Sequence, residues 1–276
     1  AIFDDALSVP QEDAGIYLVK AMLMARHDFP RDEVNAVYRQ ALAVEPDNEM
    51  AQGLLVQNLA EEERFDEIVD LCKTSLQYTP DNQQLCYFEG FSLFQLKRND
   101  EALTSLQKTV ELRDEESDSG MMADCYSLMG EIYREKGMDK ACYEAYDSCL
   151  HYAPDNVGAL NNYAYYLSLD SAADLQKAEQ MSLKAVQKEP DNATFLDTYA
   201  WILFKEKRYD DAKTIAERAI ASDSTLSSVV VEHCGDIFYM AGDTDRAMEM
   251  WQKAAQEDEN NAILRRKIEL KKYIEE

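Results

Sequence analysis

The chain is poor in glycine and proline, with 9 and 6 among 276 residues. A turn-rich β-sandwich or barrel uses more of both at its corners, so the all-β classes are excluded. Positive charge is also short: 28 Lys and Arg against 54 Asp and Glu leave a net charge of −26. Nucleic acids and anionic lipid are gripped by clustered Lys and Arg, and so acidic a chain is repelled by both. No apolar run approaches the roughly 18 residues that read as a membrane span, so direct membrane insertion is not expected. Only three histidines occur, His27, His151 and His233, and none pairs with a neighbour at metal spacing. The chain has no His-Glu-x-x-His, no Gly-rich phosphate loop and no Gly-x-Ser-x-Gly elbow. The reading is therefore of a non-enzyme with no catalytic residue, metal or cofactor, its histidines on the surface or in packing. Six cysteines form no C-x-x-C pair. Five of them stand where a helix wants a small apolar residue, so they read as buried packing residues, which leaves the compartment open. An initiating Met and a secretion signal are missing too; the expectation is that any targeting peptide was removed or lies outside this sequence.

What is present is repetition, which is sought before secondary structure. Pro-Asp-Asn recurs at Pro46, Pro80, Pro154 and Pro190, preceded by Glu45, Thr79, Ala153 and Glu189. Pro46 and Pro80 stand 34 residues apart, Pro154 and Pro190 36 apart. Degenerate copies fall at Asp114, at Ser224 and at Glu259-Asn260-Asn261. Proline cannot continue a helix, so it stops one, and Asn or Asp caps the free N–H groups of the next. Between these turns small residues recur at fixed places. They are Gly90, Gly130, Ala164, Ala200 and Gly235 in the first helix of each unit, and Ala102, Cys142, Ala178, Ala212 and Ala247 early in the second. Bulky residues such as Leu93, Tyr133, Leu106, Tyr146 and Trp251 alternate with them, and small against large lets helices approach closely and interlock.

One helical hairpin repeated in this way resembles the tetratricopeptide repeat family, over nearly the whole chain. The resemblance implies an all-α, right-handed α-α superhelix of seven helix-turn-helix units, at 15–48, 49–82, 83–116, 123–156, 157–192, 193–226 and 227–261. Residues 1–14, with Phe3, Ala6 and Leu7 before Pro10, are expected to close a truncated preceding repeat, and 262–276 to form a C-terminal capping helix. Three departures stand out: Met22 at a small-residue position, about six extra residues over 115–122, and a fifth unit longer by two around Asp170 to Asp174. Residues 114–120 have a passing likeness to a calcium loop, but Ser119 stands in place of the turn glycine and Cys125 in place of the bidentate Glu; a solvated, mobile insertion is expected. The basic group Arg265, Arg266, Lys267, Lys271 and Lys272 is read as a solvated cap face, with docking of an acidic partner as the alternative.

In this family the first helices line a concave face that takes a peptide or a partner helix. The residues one face away from the packing positions are Tyr87, Phe91, Glu131, Arg134, Asn161, Asn162, Tyr165, Asp197, Trp201, Phe204, Asp236 and Tyr239, joined by Phe88 and Glu232. Rings give contact area at low entropic cost, amides can pair with an extended backbone and carboxylates select cations. Each also has a structural reading: Phe88 and Phe91 as packing between repeats, the amides as a solvated face. Family members that bind chaperone C-termini clamp a carboxylate with Lys and Asn. Here those places are apolar, acidic or amide, with Lys20 and Arg134 the main cations, so that clamp is not expected. The function expected is a non-enzymatic adaptor for a protein or peptide with apolar anchors and basic residues; the alternative is a spacer or self-associating scaffold. Asn161 to Ala164 and Phe195 to Trp201 look like repeats of bacterial cell-envelope assembly lipoproteins, which favours the periplasm or envelope over the cytoplasm.

Overall fold

Each Pro-Asp-Asn turn does the two jobs its residues suggest. In the computed structural model Asn48, Asn82 and Asn156 each accept at 3.0 Å from the backbone N–H three residues on, those of Ala51, Leu85 and Ala159. Asn192 caps through Thr194 and Phe195, and Asn261 through Leu264. The structure describes residues 13–170, 174–223, 225–258 and 260–275; among these there are 15 helices and no strand. They are α1 (Gly15–Arg26), α2 (Arg31–Val44), α3 (Glu49–Glu61), α4 (Phe65–Ser75), α5 (Gln83–Gln95), α6 (Asn99–Glu111), α7 (Ser119–Glu135) and α8 (Asp139–Tyr152). After these come α9 (Val157–Leu169), α10 (Leu175–Lys188), α11 (Ala193–Lys205), α12 (Tyr209–Ser222), α13 (Ser228–Met240), α14 (Thr244–Glu257) and α15 (Ala262–Leu270). They fall into two units, Ala1–Ala153 and Pro154–Glu276. The truncated repeat expected over 1–14 lies, but for Asp13 and Ala14, outside the described residues, as do 171–173 of the longer fifth unit.

A second kind of corner joins the two helices of a hairpin. Glu63, Lys97, Gly137, Lys207 and Gly242 all have positive φ, between 54° and 85°. At each, the next N–H reaches back to a carbonyl five residues earlier, as Arg98 does to Leu93 and Asp243 to Phe238. This is the Schellman closure of a helix end. It prefers glycine, yet three of these five corners, and the like one at Asp28 after α1 (φ 56°), use Asp, Glu or Lys at a cost on the order of 1 kcal/mol each. That is how the chain makes so many sharp corners with so little glycine.

Within hairpins the small residues are where close approach needs them. A Cβ on Gly90 would meet Leu106 Cγ at 2.8 Å, and one on Gly130 would meet Tyr146 Cε2 at 2.9 Å; Gly235 lies closer still against Trp251. Leu106, Tyr146 and Trp251 are wholly buried. All six cysteines are buried and unpaired. Burial pushes the Cys86, Cys142 and Cys149 thiols up to about 11, so they stay neutral and pack as apolar groups.

Three expectations change. In α1 the buried small residue is Ala21, while Met22 is half exposed, so this helix presents a face shifted by one residue. The stretch 115–122 is not a loose insertion. Asp118 accepts from Met121 N–H at 2.7 Å and starts α7 at Ser119, adding a first turn to that helix. Ser117 Oγ, in turn, donates to Gln83 Oε1 at 3.0 Å. In α15, Lys267 is not on a solvated face but is 1% exposed.

The crossings yield a paired prediction. Ala normally favours a helix over Gly by about 0.5–1 kcal/mol, and Gly53, with nothing within 4 Å of its Cβ position, should show that gain as a higher melting midpoint in Gly53→Ala. Gly130→Ala should instead lose about 1–3 kcal/mol through overpacking on Tyr146. Thermal unfolding of the two variants side by side checks the sign; a rise in both would refute the close crossing.

Candidate functional site

In the first unit, α5 and α7 carry the forecast residues. The Tyr87 ring lies 5.2 Å from that of Phe88 and 6.2 Å from that of Phe91. Tyr87 Oη donates to Asp124 Oδ2 at 3.3 Å, tying α5 to α7. A cleft of ≈ 870 Å³ is lined by Gln83, Tyr87, Phe88, Met121, Asp118 and Asp124, among others. Burial holds the Asp124 carboxyl above its ordinary range, against the pull of the Tyr87 hydroxyl, and Asp118 adds like charge. Burial and Glu135 hold Glu131 up as well, partly offset by Lys97. Phe91 does not line this cleft: it rests edge-on against Phe65 at 6.0 Å. Arg134 turns to the hairpin corner, where its Nη1 donates to Asp139 at 2.6 Å.

In the second unit α9, α11 and α13 stand in register. His233, one position past the repeat equivalent of Asp197, faces it: His233 Nδ1 lies 3.0 and 3.2 Å from the two carboxylate oxygens of Asp197. The Trp201 ring stacks on the His233 ring at 4.0 Å and on Phe204 at 4.9 Å, and Tyr165 lies 6.3 Å from His233. These rings border a cleft of ≈ 620 Å³ lined by Tyr165, Leu169, Trp201, Lys205, Val229 and His233, with Tyr273, Ile274 and Glu275 opposite. Val229 and Leu169, 53% and 41% exposed, give it an apolar rim. Burial disfavours charge on His233, yet Asp197 beside it, with Asp236 and Glu232, outweighs that and raises its pKa.

The second unit's acids forecast to select a partner's cations are already matched within the chain. Asp236 accepts from Trp251 Nε1 at 2.8 Å and from Lys267 Nζ at 2.7 Å. Glu232 accepts from Lys267 Nζ at 2.7 Å and from Asn261 Nδ2 at 2.9 Å. A buried carboxylate left unpaired costs several kcal/mol (about 3–5 when one partner of a pair is removed), so each buried acid here has a donor. Asp197, Asp236 and Asn161 are buried, and Trp201 and Phe204 are mostly so, at 8% and 6% exposure. Asn161 Nδ2 reaches Asn162 Oδ1 at 3.3 Å, and Tyr239 turns to the core, stacked on Trp251 at 5.6 Å. The cleft thus brings Tyr165, Trp201 and Asp236 together and leaves Asn161, Asn162 and Tyr239 outside. His233, Lys205, Val229 and Tyr273 were not forecast; the nearest signal for His233 was that it neighbours Glu232, the repeat equivalent of Asp197.

Among the described residues no group of three or more His, Cys, Asp or Glu is placed to hold a metal, and no helix is long and apolar enough to cross a membrane.

The buried triad makes stability depend on pH. Burial, opposed by Lys267 and Trp251, pushes Asp236 up to about 6 from an ordinary 3.8. The folded chain therefore holds this proton more readily than the unfolded one, and the resulting stability is full below about 3.8 and lost as pH rises through about 6. Lys267→Met removes the ammonium that lies between Glu232 and Asp236 and so leaves Asp236 held still more firmly in its neutral form. We expect a loss of about 3–5 kcal/mol at pH 8 that shrinks toward pH 5, measured by denaturant unfolding; an equal loss at both pH values would refute this pairing.

No family model matches the chain, and no curated protein sequence is similar to it. Solved structures do match. A tetratricopeptide repeat protein from Parabacteroides merdae is 13% identical, with 94% of this chain and 98% of that one covered and a TM-score of 0.59. YrrB, described as a TPR protein with an unusual peptide-binding site, is 11% identical over 68% of this chain and 93% of its own, TM-score 0.58. A chain of the Cut9–Hcn1 hetero-tetramer of the APC/C is 12% identical over 98% of this chain and 51% of its own, TM-score 0.60. At these identities the likeness is one of fold: the chain has the all-α, superhelical tetratricopeptide-repeat fold.

Proposed function

We propose that this helical-repeat chain is a non-enzymatic adaptor whose first helices hold a segment of a partner protein. The observation that carries the reading is the ring-lined cleft of the second unit, where Tyr165, Trp201 and His233 come from three successive first helices and border one opening. Stacked rings in fixed positions form a preorganised apolar surface, which lowers the entropic cost of binding. Val229 and Leu169 extend that surface to the solvent-exposed rim. In the first unit the exposed Asp124 and the half-buried Glu131, each held toward the neutral form by local burial of the carboxyl, would regain favourable charge beside a partner's Lys or Arg. The partner segment thus carries apolar anchors and basic residues. The net charge of −26 speeds the approach of such a segment at low salt. That YrrB, a protein of the same fold, has a peptide-binding site supports a peptide ligand here. The two-repeat likeness to envelope-assembly lipoproteins supports a place in the bacterial envelope.

A peptide-display selection against the immobilised chain tests the reading. We expect enriched segments with an aromatic or aliphatic anchor flanked by Lys or Arg, weakening by about tenfold or more in Val229→Glu, which places a charge on the rim. Trp201 is too buried to serve as a clean probe, whereas Tyr165→Ala keeps the fold and should weaken the same peptides. Binders indifferent to both substitutions would refute the cleft as the site.

A further inference from the structure

The cleft of the second unit is walled on one side by a later piece of the chain, which packs against its rings. Helix α15 ends at Lys271 in the left-handed conformation, φ 48° and ψ 44°, and Lys272 N–H closes back on Lys267 O at 3.1 Å. That corner turns the following residues over the ring stack. The Tyr273 ring meets Phe204 edge-on at 5.6 Å, with the Lys267 ammonium 5.5 Å from its centre. Ile274 and Glu275 continue along the same wall of the cleft. Tyr273 and Ile274 are half-buried, and Glu275 is exposed.

Two features make this arrangement a guide to ligand chemistry. Lys267 is fixed by Glu232 and Asp236 at 2.7 Å each, so the place beneath it is built before any ring arrives. A ring there gains apolar contact from Phe204 on one side and a cation–π contact from Lys267 on the other. The covering segment also reads Lys271-Lys272-Tyr273-Ile274-Glu275, two cations followed by an aromatic and an aliphatic residue. That is the composition expected of the partner.

We propose that Tyr273–Glu275 is an internal strap lying in the partner's place, and that the partner segment displaces it by setting an aromatic side chain between Phe204 and Lys267. The proposal rests on the cleft being the partner site. A strap that covers the ring site beside Phe204 lowers apparent affinity by the fraction of time that site is open.

Two readouts test it, one of them independent of any partner. Trp201 borders the cleft, whereas Trp251 is wholly buried. Acrylamide quenching of tryptophan emission should therefore rise in Tyr273→Ala, and the rise should vanish when Trp201→Phe is added. The second readout is anisotropy of a dye-labelled peptide of sequence Lys-Lys-Tyr-Ile-Glu. It should bind Tyr273→Ala about tenfold more tightly than the native chain, by relief of self-occupancy. Tyr273→Phe, which keeps the ring, should behave as native in both, and melting curves confirm that the variants are folded. Unchanged quenching in folded Tyr273→Ala would overturn the strap. Raised quenching with neither this peptide nor the display-selected ones binding would show that the strap covers the rings but that the cleft is no partner site, which overturns the proposal through the reading beneath it.

Discussion

The structure depends on one contact repeated along the chain, a small residue of one helix set against a bulky residue of its partner. Leu106, Tyr146 and Trp251 occupy space that a single methyl on Gly90, Gly130 or Gly235 would fill. Such crossings lock the rotation of each helix about its axis, and the rotation decides which side chains leave the core. In α13 the close approach of Gly235 to Trp251 fixes where His233 and Asp236 must point. The second follows the indole: its Oδ1 receives the Trp251 Nε1 proton at 2.8 Å. The core thus aims the polar groups of the face beside it.

Once aimed, those groups had to be satisfied locally. In low dielectric a carboxylate without a partner either protonates or destabilises the fold. The second unit answers with His233 for Asp197 and with Lys267 for Glu232 and Asp236. In the first unit, among the described residues, the exposed Asp124 takes a tyrosine hydroxyl and Glu131 has the more distant Lys97. Two faces of similar composition therefore differ in electrostatic character: one closed on itself, the other with its acids short of cations.

Much of this was legible in the sequence, and the failures have physical reasons. Period, caps and the small-against-large pattern are local in sequence, so Asn48, Asn82 and Asn156 declared themselves, as did Gly130 opposite Tyr146. Five hairpin corners were harder to see because three of them place Glu63, Lys97 and Lys207 in a conformation normally given to glycine. Helical phase sets Asp236 and Trp201 one face away from the packing positions, but it cannot say how far a neighbouring helix covers them, and both are buried. The commitment of Lys267 was hidden because its partners lie 31 and 35 residues earlier in the chain. A basic run on a terminal helix reads as solvated unless two buried acids one repeat earlier are noticed at the same time.

The strap follows from the same geometry. Lys267 must stay buried to neutralise Glu232 and Asp236, so α15 is pinned by its middle. The left-handed Lys271 then leaves the chain heading back across Phe204 instead of into solvent. A segment tethered by so short a link is present at its own site at an effective concentration on the order of millimolar. Weak contacts are then sufficient to keep the rings covered, and a free segment with the Tyr273 ring alone competes poorly. A successful partner needs contacts the strap does not make, and the exposed rim at Val229 and Leu169 supplies apolar surface for them. Self-covering thus sets a threshold: it protects an aromatic surface from casual association and selects segments long enough to hold both the ring position and the rim.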